Sequence, residues 1–287
     1  MVDALDSGSS GRKFVEVRVL SRAPDKKFMI PLKRFGQNFL VDKNILAEII
    51  SCADLKENDC VLEIGPGHGV LTRALLEKKI ACLHSIELDE RLRPELEELE
   101  QHEKIFHLHW GDAVKFDYSS LNPFPNKVIA NIPYNITTPL IWKLLNFSGL
   151  GLNYFLFMLQ KEAALRIIAP ADTKERYPLG VTIEAMGQAR IVKSVSRNCF
   201  RPVPKVDSAV VEISIEKNFD FIKNSSWSDL LHRGFAHRRK TLLNNLKGFM
   251  GINSSEWQEI FNSLGIDENI RAEDLSCEDW IKLGVRI

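Results

Sequence analysis

Five short apolar runs alternate with stretches of helical period, and that alternation limits this chain to very few architectures. The runs are CVLEI at 60–64, ACLHSIEL at 81–88, KIFHLHW at 104–110, KVIA at 127–130 and YFLFML at 154–159. Each is strand-sized and bounded by turn residues. Helical spacing is read over Asn44–Ala53, Val70–Lys78, Glu90–Glu103, Thr137–Leu145 and Gln160–Ala169. Strands separated by helices pair in parallel, and helices then cover both faces of the sheet. The expectation is an α/β fold.

The pattern changes after Arg190. ARIVKSVS and SAVVEISI read as an antiparallel pair joined by a long link around RPVPK. Beyond Glu216 strands stop, and 227–246, 255–264 and 277–283 read as helices. This gives three parts: a flexible tail over 1–30, an α/β domain over 31–216 and a small all-α C-terminal domain over 217–287. The tail is rich in Ser, Gly and charge with no apolar core segment, which argues against a signal peptide. Its acids Asp3, Asp6 and Glu16 argue against a transit peptide. No apolar run approaches the ~20 residues of a membrane span. Five cysteines, none in a C-x-x-C pair, speak against a disulfide framework or zinc knuckle and for a reducing compartment.

The loop after the first run is LEIGPGHG, with Glu63, Gly65, Gly67 and Gly69 between strand and helix. Glycine there tolerates positive φ and lets a ligand approach backbone, beside the free N–H groups of a helix start. A dinucleotide loop wants G-x-G-x-x-G, but position 70 is Val. E-x-G-x-G-x-G suits a nucleoside with an amino-acid tail, S-adenosylmethionine. By itself such a loop is also a plain strand-to-helix turn. Two acids add to it. Glu87 ends the second run, where a carboxylate accepts ribose hydroxyls, and Asp112 follows the third, within reach of an adenine amine. All lie at carboxyl ends of successive strands, where open α/β sheets bind ligands.

The fourth run ends in Asn131-Ile132-Pro133-Tyr134. The exocyclic N6 of adenine is a poor nucleophile, because its lone pair is delocalised into the ring. Methylating it needs acceptors that hold its hydrogens. The Asn131 amide oxygen is one acceptor, and the Pro133 carbonyl is read as the second. The base must leave its stack and be gripped flat, and Tyr134 offers an aromatic face. A sulfonium donor is already activated, so this chemistry calls for neither a strong base nor a metal. Thr137 or Thr138 is expected to cap the following helix, with Pro139 in its first turn.

These motifs, with GQNFL at 36–40, IELD at 86–89, GDA at 111–113, FRPVPKVDSAV at 200–210, FAHRRKTLLNNL at 235–246 and IRAEDLS at 270–276, resemble the ribosomal RNA small-subunit adenine N6,N6-dimethyltransferase family, the KsgA/Dim1 group. The resemblance runs from about Lys33 to Leu283. It implies a Rossmann-like S-adenosylmethionine-dependent methyltransferase domain with a helical rRNA-binding domain behind it. By position it implies donor contacts from Gln37, Asn38, Leu40, Glu63, Gly65, Gly67, Glu87, Asp112, Ala113 and Asn131. It places the target adenine among Asn131, Pro133 and Tyr134, with Phe200 as a second aromatic wall, and puts Arg238, Arg239 and Lys240 on RNA. The implied substrate is a pair of adjacent adenosines near the 3′ end of 16S rRNA in a pre-30S particle, modified by a cytoplasmic monomer. Ile132 departs from this group, which often has Leu there. Ile is frequent in the similar erythromycin-resistance methyltransferases, which act on large-subunit rRNA. A non-catalytic assembly or organellar transcription factor on the same fold is a third reading. A nicotinamide oxidoreductase fails on Val70 and on the tetrapeptide.

Formal net charge is zero, from 38 basic and 38 acidic residues, yet the charges are segregated. Residues 185–206 and 230–255 contain no acid, and the second holds Arg233, Arg238, Arg239, Lys240 and Lys247. A neutral chain segregated in this way still offers phosphate a basic face. His84, His107 and His109 read as packing residues, since no carboxylate or Cys stands at metal spacing near them in the sequence.

Overall fold

The computed structural model describes residues 38–217 and 225–286. The first elements are β1 (Phe39–Leu40) and α1 (Lys43–Cys52), the latter capped by the Asp42 carboxylate on the N–H groups of Asn44 and Ile45. The alternating part follows as β2 (Cys60–Ile64), α2 (Val70–Leu76), β3 (Cys82–Glu87), α3 (Arg93–His102), β4 (Phe106–Trp110), β5 (Lys127–Asn131), α4 (Thr137–Leu145), β6 (Tyr154–Gln160) and α5 (Lys161–Ile168). Then come α6 (Pro178–Met186), β7 (Gly187–Val195), β8 (Phe200–Arg201) and β9 (Ser208–Ile215). The last helices are α7 (Ser225–Gly234), α8 (Leu242–Leu246), α9 (Ser254–Leu264) and α10 (Cys277–Val285).

Among the described residues, seven strands form one sheet in the order β4-β3-β2-β5-β6-β9-β7. The first five are parallel, and β9 runs antiparallel to both β6 and β7, as the change in pattern after Arg190 predicts. Both faces are buried, so successive residues of one strand enter opposite cores. Val61, Ile129, Leu156 and Met158 pack with Ile45, Ile49 and Ile50 of α1. Leu62, Val128, Phe155 and Phe157 pack with α4, α6 and the C-terminal helices. That is why CVLEI is apolar almost throughout and shows no alternation. The chain steps outward from β2 to β3 and β4, then returns to the other side of β2 with β5. The carboxyl ends of β2 and β5 therefore flank a crevice at the point where strand order reverses.

Three local expectations are corrected, and one helix, α6, goes unread in the sequence. The helix read over 227–246 is two helices. α7 stops at Gly234, where a Cβ would stand 2.6 Å from the Trp280 ring. α8 restarts under a Thr241 cap, and the Asn245 amide bridges the break by donating to the carbonyls of Gly234 (2.6 Å) and His237 (3.2 Å). α6 carries no amphipathic signal, because eight of its nine residues are buried. Neither Thr137 nor Thr138 caps α4: Ile136 holds the cap position without a side-chain bond, and the Thr137 hydroxyl instead donates to the Pro133 carbonyl at 3.4 Å. Lastly, two cysteines do reach metal spacing. Cys60 and Cys82 are register partners on β2 and β3, and their sulfurs lie with a His84 nitrogen within 4.8 Å of one another.

Candidate active site

A cavity of about 300 Å³ opens at the strand-order reversal. The loop after β2 supplies Gly65 and Gly67, the end of β3 supplies Glu87, the loop after β4 supplies Asp112 and Ala113, and the end of β5 supplies Asn131, Pro133 and Tyr134. Asn38 closes it from the other side. Leu40 and Glu63 border a smaller cavity of about 50 Å³ that shares Phe39, Gly65 and Asn131 with the first. Gln37 lies outside the described residues.

The glycine loop turns on positive φ at Gly65 (69°), Gly67 (57°) and Gly69 (69°). At Gly67 space matters as well: a Cβ would stand 2.9 Å from the Phe39 ring. The loop therefore presents backbone to the cavity. Glu87 holds it there. Its Oε2 accepts from the Gly67 N–H (3.1 Å), and its Oε1 accepts from the N–H groups of Leu88 and Asp89 (both 2.8 Å). Burial pushes the Glu87 carboxyl above its ordinary pKa, against these three donors, which favour the charged form. A carboxylate has about four lone-pair sites. Three are taken here, so accepting two ribose hydroxyls requires that one backbone donor be displaced. Asp112 accepts from the Val114 N–H at 2.9 Å in the turn that ends β4.

The register of β5 with β6 ends at the pair Asn131 and Met158. The Asn131 Nδ2 donates to the Asn38 carbonyl at 3.2 Å, which sets the amide so that its oxygen is the acceptor. The Pro133 carbonyl departs from expectation. It already accepts from the Ile136 N–H (3.2 Å) and the Thr137 hydroxyl (3.4 Å), so both its lone pairs serve the turn into α4. The Ile132 carbonyl, one residue past the last register pair, belongs to a residue that lines the cavity. The Ile132 side chain itself is buried in the core at 1% exposure. Tyr134 lines the cavity, with its hydroxyl 3.0 Å from Ser208 Oγ on β9, and burial raises its phenol above the usual pKa.

Phe200 does not form a second wall of the cavity. It is 1% exposed and packs with Leu40 and α1, because β8 pairs antiparallel with β1 and sets Phe200 opposite Leu40. Phe39, one residue earlier, faces the cavity instead, with its ring 4.8 Å from that of His68. Sequence reasoning gives Phe39, Leu88 and Ser208 no role. Leu88 is within its reach: a leucine directly after a strand-end acid, 49% exposed on the cavity wall. Phe39 and Ser208 give no such signal, since only the β1–β8 and β6–β9 pairings bring them in.

Arg238, Arg239 and Lys240 sit in the turn between α7 and α8, away from any helix face. Arg239 and Lys240 are exposed, while Arg238 is half-buried, 3.6 Å from Glu273 and 5.6 Å from the Tyr177 ring. In the other acid-free segment Arg190 pairs with Glu212, and Lys193 pairs with Glu48 at 2.7 Å. Part of that basic character is thus neutralised within the fold.

Comparison with known proteins gives the family. The family profile of ribosomal RNA adenine dimethylases matches residues 32–286. The ribosomal RNA small subunit methyltransferase A of Clostridium acetobutylicum is 38% identical over 261 residues, covering 89% of this chain and 93% of the relative. That of Prochlorococcus marinus is 40% identical over 265 residues, covering 89% and 93%. Among solved structures, a dimethyladenosine transferase from Plasmodium falciparum superposes with a TM-score of 0.72 at 28% identity, over 85% of this chain and 95% of that one. The 23S rRNA methyltransferase ErmE shares the fold, with a TM-score of 0.63 at 23% identity over 87% and 99%. With the donor-type loop, the strand-end acids and the Asn-Ile-Pro-Tyr turn gathered round one cavity, and with the profile matched over nearly its whole length, this chain belongs to the ribosomal RNA adenine dimethylase family.

Proposed function

We propose that this chain transfers methyl groups from S-adenosylmethionine to N6 of two adjacent adenosines near the 3′ end of 16S rRNA, giving N6,N6-dimethyladenosines. The observation that carries the reading is that Asn131 shares one cavity with Glu87 and Asp112. Residues read for the donor and residues read for the target amine thus meet without an intervening wall. The donor fits the residues present, since the cavity takes backbone at Gly65 and Gly67 and acids at the two positions where a nucleoside offers hydroxyls and an amine. S-adenosylmethionine, when bound, supplies a methyl group on an electron-poor sulfonium. The chain supplies orientation. Glu87 and Asp112 hold the nucleoside end, and Tyr134 gives the flipped base an aromatic face. The Asn131 amide oxygen and the Ile132 carbonyl accept the two N6 hydrogens, so the nitrogen lone pair points at the methyl carbon.

The relatives named for the small subunit support the choice of 16S rRNA over large-subunit rRNA. Ile132 carries little weight against it, because its side chain is buried in the core at 1% exposure. The same reading makes the substrate a pre-30S particle, the enzyme a cytoplasmic monomer and residues 217–287 the rRNA-binding part. Radiolabelled methyl transfer to unmethylated small subunits tests it. Asn131→Ala is expected to lower the rate by about a hundredfold or more, while donor binding measured by calorimetry persists. Full activity in that variant would remove Asn131 from the reaction. Primer extension on both rRNAs identifies the target.

A further inference from the structure

The opposite ends of the same strands carry a second constellation. Cys60 opens β2, and Cys82, its register partner, opens β3. His84 follows two residues on, so all three side chains leave the same face of the sheet. They are 5%, 2% and 2% exposed. Cys82 Sγ is 3.4 Å from His84 Nε2. The Pro123 carbonyl, in the segment leading into β5, is 3.0 Å from that nitrogen and 3.3 Å from Cys60 Sγ. A tetrahedron round zinc, with sulfur at about 2.3 Å and nitrogen or oxygen at about 2.0–2.2 Å, has edges of roughly 3.3–3.8 Å. The separations of 3.0, 3.3 and 3.4 Å stand at or just under those edges, and the two sulfurs and the nitrogen lie within 4.8 Å of one another. His84 Nδ1 is 3.0 Å from His109 Nε2. The Pro123 carbonyl can only accept, so in this fold it takes the Nε2–H; moving that proton to Nδ1, where His109 Nε2 accepts it, frees the Nε2 lone pair for a cation, as outer partners do for metal-bound imidazoles.

We propose that Cys60, Cys82, His84 and the Pro123 carbonyl form a structural site for one zinc-class d10 divalent cation. On binding, two S–H bonds break, two metal–sulfur bonds form and two protons leave to solvent. The two thiolates cancel the charge of the cation, so the buried site carries no net charge and avoids the cost of burying an isolated ion. The Pro123 carbonyl exchanges the Cys60 S–H and the His84 Nε2–H for the metal, and the imidazole stays neutral because its proton moves to Nδ1. Four protein donors leave no open position, which makes the site structural. It ties the starts of β2 and β3 to the segment ahead of β5, away from the strand ends that line the methyl-transfer cavity.

The test uses the full chain with Cys52, Cys199 and Cys277 replaced by Ser, so that only the two candidate thiols remain. Cobalt(II) titration is expected to give tetrahedral visible bands and sulfur-to-cobalt charge transfer, saturating at one equivalent. Cys82→Ser and His84→Gln are expected to abolish them. His109→Gln is expected to keep the bands and weaken binding about 10- to 100-fold. X-ray absorption on the zinc-loaded natural sequence, which does not depend on any variant folding, is expected to show two sulfur neighbours at about 2.3 Å. A shell of nitrogen and oxygen alone, zinc uptake that survives loss of both cysteines, or a Cys60–Cys82 disulfide seen as a mass two hydrogens lower with no metal retained would each overturn the proposal.

Discussion

Glu63 illustrates how residue type and residue role separate. The sequence places it among the donor contacts. In the fold its carboxyl is fully buried, and Oε2 accepts from the hydroxyls of Thr72 on α2 and Ser85 on β3, both at 2.8 Å. It thereby fastens the glycine loop's helix to the neighbouring strand. Burial pushes its pKa from 4.5 up to about 7. An acid whose pKa rises on folding favours the folded state below its unfolded pKa, and that contribution is lost as pH climbs through the folded value. Stability should therefore fall between pH 4.5 and about 7, by an amount of order 3 kcal/mol at most. Glu63→Gln, neutral at every pH, is expected to flatten that part of the profile. Denaturant melts across this window check it, and parallel profiles in the two proteins would reject it. Strand-end polar residues such as Glu87, Asp112 and Asn131 are legible because each is one of few polar groups beside an apolar run. Phe39 and Ser208 are not, because nothing local distinguishes them from ordinary core and turn residues.

Among the elements, the glycine loop is the one whose shape answers most directly to its sequence. Gly67 combines a φ of 57° with a ring edge where a Cβ would go. Gly67→Ala is expected to cost about 1–2 kcal/mol in backbone strain and to push Phe39 into the cavity. The measurable outcome is weaker donor binding by calorimetry together with a lowered urea midpoint. Unchanged affinity would mean that Phe39 moves aside freely and is not a wall of the site. The strands are readable as short apolar runs, and most helices as amphipathic ones. α6 is not, because burial on every side removes the contrast between faces. The break between α7 and α8 escapes the sequence for a related reason. The contact beside it joins residues 46 apart in the chain: the Trp280 ring packs so close to Gly234 that a Cβ there would stand 2.6 Å from it.

At the scale of the molecule, the C-terminal helices and the sheet share one core. Trp227, Trp257 and Trp280 are all buried in it, and the Trp227 indole donates to Thr182 Oγ1 on α6 at 2.9 Å. That packing leaves the turn between α7 and α8 exposed at Arg239 and Lys240. If these two meet phosphate, replacing both with Ala is expected to weaken rRNA binding and to lower the slope of log affinity against log salt by about 0.7–0.9 for each phosphate no longer neutralised. Donor binding should not change. Filter binding over a salt series measures the slope, and an unaltered slope would place the RNA elsewhere. Arg238 is the poorer candidate for such a role, since Glu273 and Tyr177 already engage it.

The sequence alone determined the α/β class, the parallel sheet with its antiparallel end, the glycine loop after β2 and the Asn-Ile-Pro-Tyr turn that ends β5. Each rests on local order along the chain: period, turn residues and polar groups at strand ends. Only the tertiary structure decided that the turn into α4 takes up the Pro133 carbonyl, which phenylalanine lines the cavity, and that Cys60, Cys82 and His84 meet. Those outcomes depend on register between strands distant in sequence, on the turn that consumes the Pro133 carbonyl, and on the pairing of β1 with β8, which turns Phe39 outward and Phe200 into the core. A shift of one residue in any such pairing would exchange the two faces, and nothing in the local sequence states the register.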